Sequence, residues 1–517
     1  MNNKPDPCIV VLFGGTGDLA HRKLLPAIYN LHHDRLLPEH FAVCVYARRE
    51  RNDLQYRNEM REFISQFSRQ PVQADWEQLA SRIFYVAGEF GDNAGHARLM
   101  ARLAELDTQC GTRGNRLFYF AVASDFFVPL IQRLAGNGLL QRWQDPPAYD
   151  VATGRRALQA PWRRVVLEKP IGHDSVSARQ LLTRVAEHAG ESQVFRIDHY
   201  LGKETVQNIM ALRFGNGIFE PLWNRNYVDH VQITVAEAEG IGNRAAYYER
   251  AGALRDVVQN HVLQLLCLVA MESPSSMHAD DIRNEKVKIL HGLRKMTAAQ
   301  VAGNVVRGQY GPSADGKLPG YRQEQGVAAD SATETFVALR CFVDTWRWAD
   351  VPFLLRTGKR LPRRQTEISV HFRVPPLRLF DQAAAQESCI GNVLRIRIQP
   401  DEGLSLELAA KIPGAGMRLK NVAMDFLYER SFHLQTPEAY ERLLLDAMLG
   451  DATLFPRDDE VLAQWQFIDS VLAGWHGLPL RCPNYFAGTW GPDDAARLLP
   501  PCTGGWHMES ADMPGRR

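Results

Sequence analysis

The sequence has almost no net charge: 60 Lys and Arg stand against 59 Asp and Glu, a formal +1 with histidine neutral. Without a global field of either sign, it has no general means of holding a nucleic acid or an anionic membrane, and any anion must be bound locally. Cysteine is sparse as well. The eight, Cys8, Cys44, Cys110, Cys267, Cys341, Cys389, Cys482 and Cys502, show neither paired metal-ligand spacing nor the density of a disulfide scaffold, so no metal and a reducing cytoplasm are expected. Long hydrophobic runs are missing too. The longest nearly apolar stretch, Val262 to Met271, is too short to cross a bilayer. The start, Met1 to Pro7, is polar and is expected to be no signal peptide. What is present is an ordinary globular composition, 45% hydrophobic and 23% charged, in 517 residues. That is enough for a substantial core and about two to three domains.

The first part alternates β-rich apolar runs with helical periodicity, the pattern of a doubly wound parallel sheet with helices on both faces. Strands are predicted at Ile9 to Phe13, Phe41 to Ala47, Ile83 to Ala87, Leu117 to Ala123, Val165 to Glu168 and Val194 to Asp198. The helices between them are read near Leu19 to Leu31, Asp53 to Ser68, Ala94 to Thr108, Phe126 to Ala135 and Ser175 to His188. The stretch Gln141 to Arg163 has no clear periodicity and reads as a surface excursion. After about residue 202 the rhythm changes. Val228 to Val235, Thr335 to Phe342, Thr366 to Arg373, Val393 to Gln399 and Leu404 to Ala410 read as strands without regular helical crossovers, and Leu254 to Met271 as a helix apolar around most of its circumference. The expected architecture is therefore an α/β, Rossmann-like dinucleotide-binding domain over residues 1–201. A larger α+β domain with a mostly antiparallel sheet follows over 202–500, and a loose tail over 501–517.

Directly after the first strand come Gly14, Gly15, Thr16, Gly17, Asp18, Leu19 and Ala20, and then a helix. Glycines there let the backbone turn sharply and bring its N–H groups to a pyrophosphate at the helix N-terminus. Gly15, Gly17 and Ala20 fit the dinucleotide fingerprint with alanine in the third place. A glycine-rich turn with no ligand has the same composition; the position between strand and helix favours the nucleotide. The second strand runs into Arg48 and Arg49, where an enzyme built for NAD commonly carries Asp or Glu. Arginine there favours the 2′-phosphate of NADP, the alternative being a solvated surface pair.

Glu168-Lys169-Pro170 closes the fifth strand, and the run Arg196 to Glu204 closes the sixth. Both fall where open α/β sheets present ligand groups. His199, Tyr200 and Lys203 can donate to a phosphate, with the carboxylate of Asp198 beside them, a set suited to an anionic substrate. His261 stands near the start of the long apolar helix about one and a half turns after Asp256, a place where a lone histidine is more often a satisfied core residue.

Taken together, these segments resemble the glucose-6-phosphate dehydrogenase family. The likeness is carried by Gly14 to Ala20, Glu168-Lys169-Pro170, Arg196 to Glu204, Gln259-Asn260-His261, Arg356-Thr357-Gly358-Lys359 and Tyr440 to Asp446. It extends from residue 8 to about residue 500. The resemblance implies oxidation of glucose 6-phosphate at C1 to 6-phosphogluconolactone with NADP, the first step of the oxidative pentose phosphate pathway. It implies His261 as the general base and Asp198 as the carboxylate that orients it, since a base near neutrality works best held in one tautomer. His199, Tyr200 and Lys203 resemble a phosphate clamp. Lys169 resembles the lysine reaching between substrate and cofactor, before a Lys-Pro bond often cis in the family. Glu237 and Asp256 fall where the family places carboxylates on sugar hydroxyls, and Lys359 resembles a further substrate contact; a surface salt bridge is the alternative for each charged residue. A homodimer or homotetramer is implied, built through the large sheet. Two departures stand out: Ile171 where phenylalanine is usual, and Ser124 where many members carry proline. A dehydrogenase for another phosphorylated sugar remains a rival, as does a silent NADP sensor, which the presence of His261 and Asp198 disfavours.

Overall fold

The structure is a computed structural model and describes residues 4–143, 149–150, 155–156, 161–377, 391–414, 416–432, 436–475, 477–478, 480–501 and 505–506. The chain divides into two compact units. The first comprises Met1–Glu204, Pro274–Asn284 and Pro437–Leu462, and the second Thr205–Ser273, Glu285–Thr436 and Ala463–Arg517. The division at Glu204 lies three residues past the break in rhythm. The two returning segments carry no signal that ties them to the first unit.

The first unit is built on strands β1 (Cys8–Phe13), β2 (Phe41–Ala47), β3 (Ile83–Ala87), β4 (Arg116–Phe120), β5 (Arg163–Leu167) and β6 (Val194–Arg196). They pair in parallel in the order β3-β2-β1-β4-β5-β6, the dinucleotide-fold order in which the chain reverses direction beside β1. Every residue of β1 and β2 is buried, which is why both read as unbroken apolar runs. Local chemistry sets the helix starts. Asn52 and Gln55 form a reciprocal cap on Asp53–Phe67, and the Asp92 carboxylate accepts from the Ala94 and Gly95 N–H groups to open Asn93–Cys110. A short helix, Asp75–Ala80, was not anticipated. Most of the 141–163 excursion lies outside the described residues. The returning helix Ala439–Leu449 is fastened by buried polar groups. Glu441 accepts from Asn30 Nδ2 at 2.8 Å and Arg69 Nε at 2.9 Å, while the Arg164 guanidinium of β5 donates to the Ala447 and Met448 carbonyls.

The second unit holds an eight-stranded sheet of β7 (Val228–Ala236), β8 (Val305–Gly308), β9 (Phe336–Phe342), β10 (Pro352–Gly358), β11 (Gln365–Phe372), β12 (Val393–Gln399), β13 (Gly403–Lys411) and β14 (Leu419–Leu427). Its order is β8-β9-β10-β7-β11-β12-β13-β14, antiparallel throughout except between β10 and β7. Three of these strands were not anticipated. β10 opens on a proline, β8 is four residues long, and β14 is exposed or half-buried along its whole length, so its sequence need not alternate. The long apolar helix begins as wide π-helical turns, Leu254–Val262, and continues as Leu263–Ala270, every residue of the latter buried.

One expectation needs correction. Trp506 falls in the segment read as a loose tail, yet it is 7% exposed and packs into a core cluster with Phe336, Leu354 and Leu498. Its Nε1–H donates to the Ala495 carbonyl at 2.9 Å, so an indole that can bury its ring and satisfy its one donor overrides the polar, glycine-rich surroundings. The residues around it, 502–504 and 507–517, lie outside the described ones.

Candidate active site

In the first unit, the turn after β1 is shaped by its hydrogen bonds. Gly14 N–H donates to the Tyr46 carbonyl, Gly17 N–H to the Gly14 carbonyl, and the Tyr56 hydroxyl to the Gly15 carbonyl at 2.7 Å. Gly14 has φ +80°, and a Cβ there would lie 2.4 Å from the Ala121 carbonyl oxygen, so glycine is required. The turn therefore lays backbone along the ends of β1, β2 and β4 at a helix start. Thr16 is half-buried, Leu19 flanks the first helical turn, and Asp18 is exposed and pairs with Arg22 at 3.7 Å. Arg48 and Arg49 are exposed just past β2.

The ends of β5 and β6 carry the next group. Glu168 is buried, and burial raises its pKa against the opposing hydrogen bonds from Tyr119 (2.5 Å) and Tyr440. Lys169 follows, and its bond to Pro170 is cis. Asp198 is 2% exposed, with Oδ1 accepting from the Tyr200 N–H at 3.0 Å. That bond and the Lys203 N–H to the Tyr200 carbonyl wind the loop tightly, so His199, Tyr200 and Lys203 leave it together. The His199 ring lies edge to face with Tyr200 at 5.0 Å and parallel to Tyr440 at 6.3 Å, and the Lys203 ammonium sits 4.9 Å from the Tyr200 ring centre. A constellation of two cationic or imidazole donors, a phenol and a buried carboxylate is thus assembled on one loop.

In the second unit, the structure brings Glu237, Asp256 and Lys359 together. Glu237 follows β7 and Lys359 follows its parallel neighbour β10, and the Glu237 N–H donates to the Gly358 carbonyl, so strand pairing puts the two side chains side by side. The Lys359 ammonium pairs with the Glu237 carboxylate, lies 4.0 Å from Asp256 and 5.5 Å from the Tyr248 ring centre. Asp256, 3% exposed, accepts from the Tyr247 hydroxyl at 3.1 Å. His261, 2% exposed, lies five residues beyond Asp256 on the same helix, its N–H held by Asn260 Oδ1 at 2.7 Å. Sequence reasoning missed Tyr119 and Tyr440 around Glu168 and Tyr247 and Tyr248 around Asp256. The Tyr247-Tyr248 pair is visible in the sequence, but the chain turns at Gly252 before Asp256, so helical spacing does not connect them. Among the described residues no cluster of His, Cys, Asp or Glu could hold a metal ion, and no helix is long and apolar enough to cross a membrane.

Comparison with known proteins gives a consistent result across both units. Residues 11–208 match the family model "Glucose-6-phosphate dehydrogenase, NAD binding domain", and residues 210–507 match "Glucose-6-phosphate dehydrogenase, C-terminal domain". The chain is 45% identical over 500 residues to the glucose-6-phosphate 1-dehydrogenase of Chlamydia pneumoniae, covering 95% of this chain and 94% of that one. It is 43% identical over 513 residues to the enzyme of the same name from Aggregatibacter actinomycetemcomitans, covering 99% of each. A solved structure of glucose-6-phosphate dehydrogenase in complex with its substrate glucose-6-phosphate superposes with a TM-score of 0.83 at 32% identity, covering 96% of this chain and 98% of that one.

Proposed function

The chain belongs to the glucose-6-phosphate dehydrogenase family, and from that premise we propose how its own residues carry the reaction. It oxidises glucose 6-phosphate at C1 to 6-phosphogluconolactone with NADP. Bound NADP supplies the hydride acceptor. The residues fit such a group: the turn Gly14, Gly15, Thr16, Gly17, Asp18 and Leu19, folded tightly by the Gly14 and Gly17 N–H bonds, brings bare backbone close to a helix start, and Arg48 stands exposed past β2 with a guanidinium suited to a 2′-phosphate.

His199, Tyr200 and Lys203 hold the substrate phosphate, and Lys169 reaches toward both substrate and cofactor. Glu237 and Asp256 accept from sugar hydroxyls, and Lys359 donates to the sugar. An imidazole nitrogen of His261 takes the proton of the C1 hydroxyl while the hydride leaves C1, and Asp198 stabilises the charged imidazole. The observation that carries this reading is the loop from Asp198 to Lys203, which holds a buried carboxylate and three side chains able to donate to a phosphate within six residues. A homodimer or homotetramer through the large sheet is part of the proposal, supported by apolar side chains exposed along β14 such as Met424, 63% exposed. So is a cytoplasmic location, supported by the six described cysteines being free thiols. An assay of NADPH formation with glucose 6-phosphate, its hexose 6-phosphate epimers and each nicotinamide cofactor tests the activity. His261→Asn should lower turnover by about 10² to 10⁴ with far less effect on substrate binding by titration calorimetry. Near-normal turnover would remove His261 from the role of base.

A further inference from the structure

The helix that carries Asp256 and His261 is held at its start by a buried carboxyl group from another segment. The chain enters it through Gly252, whose φ of 62° and ψ of −179° are open essentially to glycine alone. N–H groups at a helix start have no carbonyl of their own helix to bind. Here the Ala253 N–H donates to the Glu334 backbone carbonyl at 3.0 Å, and the Leu254 N–H to Glu334 Oε1 at 3.2 Å. Glu334 is 7% exposed, and a Cβ on Gly252 would come within 2.3 Å of its Oε1, so the absent side chain makes room for the carboxyl. Its neighbours hold the preceding helix: Thr333 Oγ1 donates to the Glu249 carbonyl and Ser331 Oγ to the Glu249 carboxylate.

The far end of the same helix is fastened in the same manner. Trp223 Nε1 donates to the Val269 carbonyl and Trp348 Nε1 to that of Ala270, both at 2.7 Å, while the Arg213 guanidinium donates to Leu268 and Met271. Between these anchors lie the wide turns Leu254–Val262, whose hydrogen bonding alone fixes register poorly. A buried carboxyl is costly unless its hydrogen bonds are made, and here its Oε1 is the acceptor that the Leu254 N–H uses.

We propose that Glu334 is a positioning residue for the reaction, capping the first turn after Gly252 and thereby setting the register that places Asp256 and His261. This rests on the reading of His261 as the base. His261 stands seven residues beyond Leu254, within about 10 Å along the axis, and a packed helix passes a shift at its start along that distance. Misplacing a reacting group by about 1 Å can slow chemistry by roughly 10². Glu334→Ala should therefore lower kcat by about 10 to 10² while the KM for glucose 6-phosphate stays within about 3-fold. Glu334→Gln, which keeps an acceptor for the Leu254 N–H, should restore kcat to within about 3-fold of the parent. Should the alanine variant not fold, Glu334→Asp, which withdraws the acceptor by one methylene, serves in its place. The deciding measurement is a variant cycle: in a His261→Asn background, Glu334→Ala should slow the enzyme by clearly less than in the parent, below about 5-fold, because the base it misplaces is already gone and only the Asp256 contact is left to disturb. A slow His261→Asn enzyme combined with a fast Glu334→Ala enzyme, or with fully multiplicative losses, overturns this inference alone. Normal turnover in His261→Asn overturns the base assignment and the inference with it.

Discussion

Replacing Lys359 by methionine separates the lysine's structural effect from its proposed work on substrate. The Lys359 side chain is 10% exposed and faces two carboxylates, that of Glu237 in direct contact and that of Asp256 at 4.0 Å. Methionine fills similar volume without charge, so the loss is electrostatic. Breaking a buried ion pair by removing one partner typically costs about 3 to 5 kcal/mol, because the other charge remains buried. Asp256 keeps the Tyr247 hydroxyl and an Arg244 guanidinium at 3.9 Å, and the Glu237 side chain is 29% exposed, so the lower figure of about 3 kcal/mol applies. For a unit of this size, with an unfolding entropy of about 2.1 cal/mol/K per residue, that corresponds to a fall of roughly 5 °C in Tm by calorimetry. Adding Glu237→Gln removes one of the two stranded carboxylates and should recover at least about half of the loss. Activity should behave differently. kcat/KM for glucose 6-phosphate should fall by about 10² or more in the single variant and stay down in the double variant, since the donor to the sugar is still missing. An unchanged Tm in Lys359→Met would refute the electrostatic argument, and recovery of kcat/KM in the double variant would refute the substrate contact.

Arg48→Ala should weaken NADP by about 10- to 100-fold and leave NAD little changed, the worth of one charge-assisted contact to a 2′-phosphate; equal losses in fluorescence titrations with the two cofactors would remove that contact. Lys203→Ala should lower kcat/KM for glucose 6-phosphate by about 10-fold or more but that for glucose far less, and equal proportional losses would show that Lys203 holds something other than the phosphate. Asp446 is 1% exposed beside Arg442, and burial raises its pKa to about 7 from an ordinary value of 3.8. The folded carboxyl then keeps its proton where the unfolded one has lost it, so folding is progressively weakened as pH rises from about 4 to 7 and no further above that. The stability advantage of Asp446→Asn over the parent in urea titrations should grow across that interval, by up to about 4 kcal/mol, and a pH-independent difference would contradict the assignment.

The parallel sheet was legible because burial on both faces demands unbroken apolar strands, as in Phe41–Ala47, and because helical periodicity marks the segments between them. β10 and β14 were not, for opposite reasons. β10 begins with Pro352 and ends in Arg356, Thr357 and Gly358, which stood out as a family motif leading to Lys359, so motif and strand signals overlap there. β14 is largely exposed, so solvent imposes no alternation on it to be read. Trp506 went unrecognised because a single buried indole in a polar segment has no periodicity, only tertiary partners.

The same distinction governs the site. The side chains proposed to hold ligand cluster in short loops at strand ends, where several chemistry-bearing residues fall in a few positions: Asp198, His199, Tyr200 and Lys203 stand out in the sequence for that reason. The groups that hold those loops and helices in place are single residues brought from far along the chain. Tyr440 reaches Glu168 and His199 across some 240 to 270 positions, and Glu334 reaches Leu254 across 80. Each makes one or two hydrogen bonds or a ring contact; Glu334 has no local signal, and the segment that opens with Tyr440 is recognisable as a family motif without showing which groups it reaches. A strand-end motif therefore identifies the chemistry, while the precision with which that chemistry is aimed resides in contacts that exist only once the chain has folded.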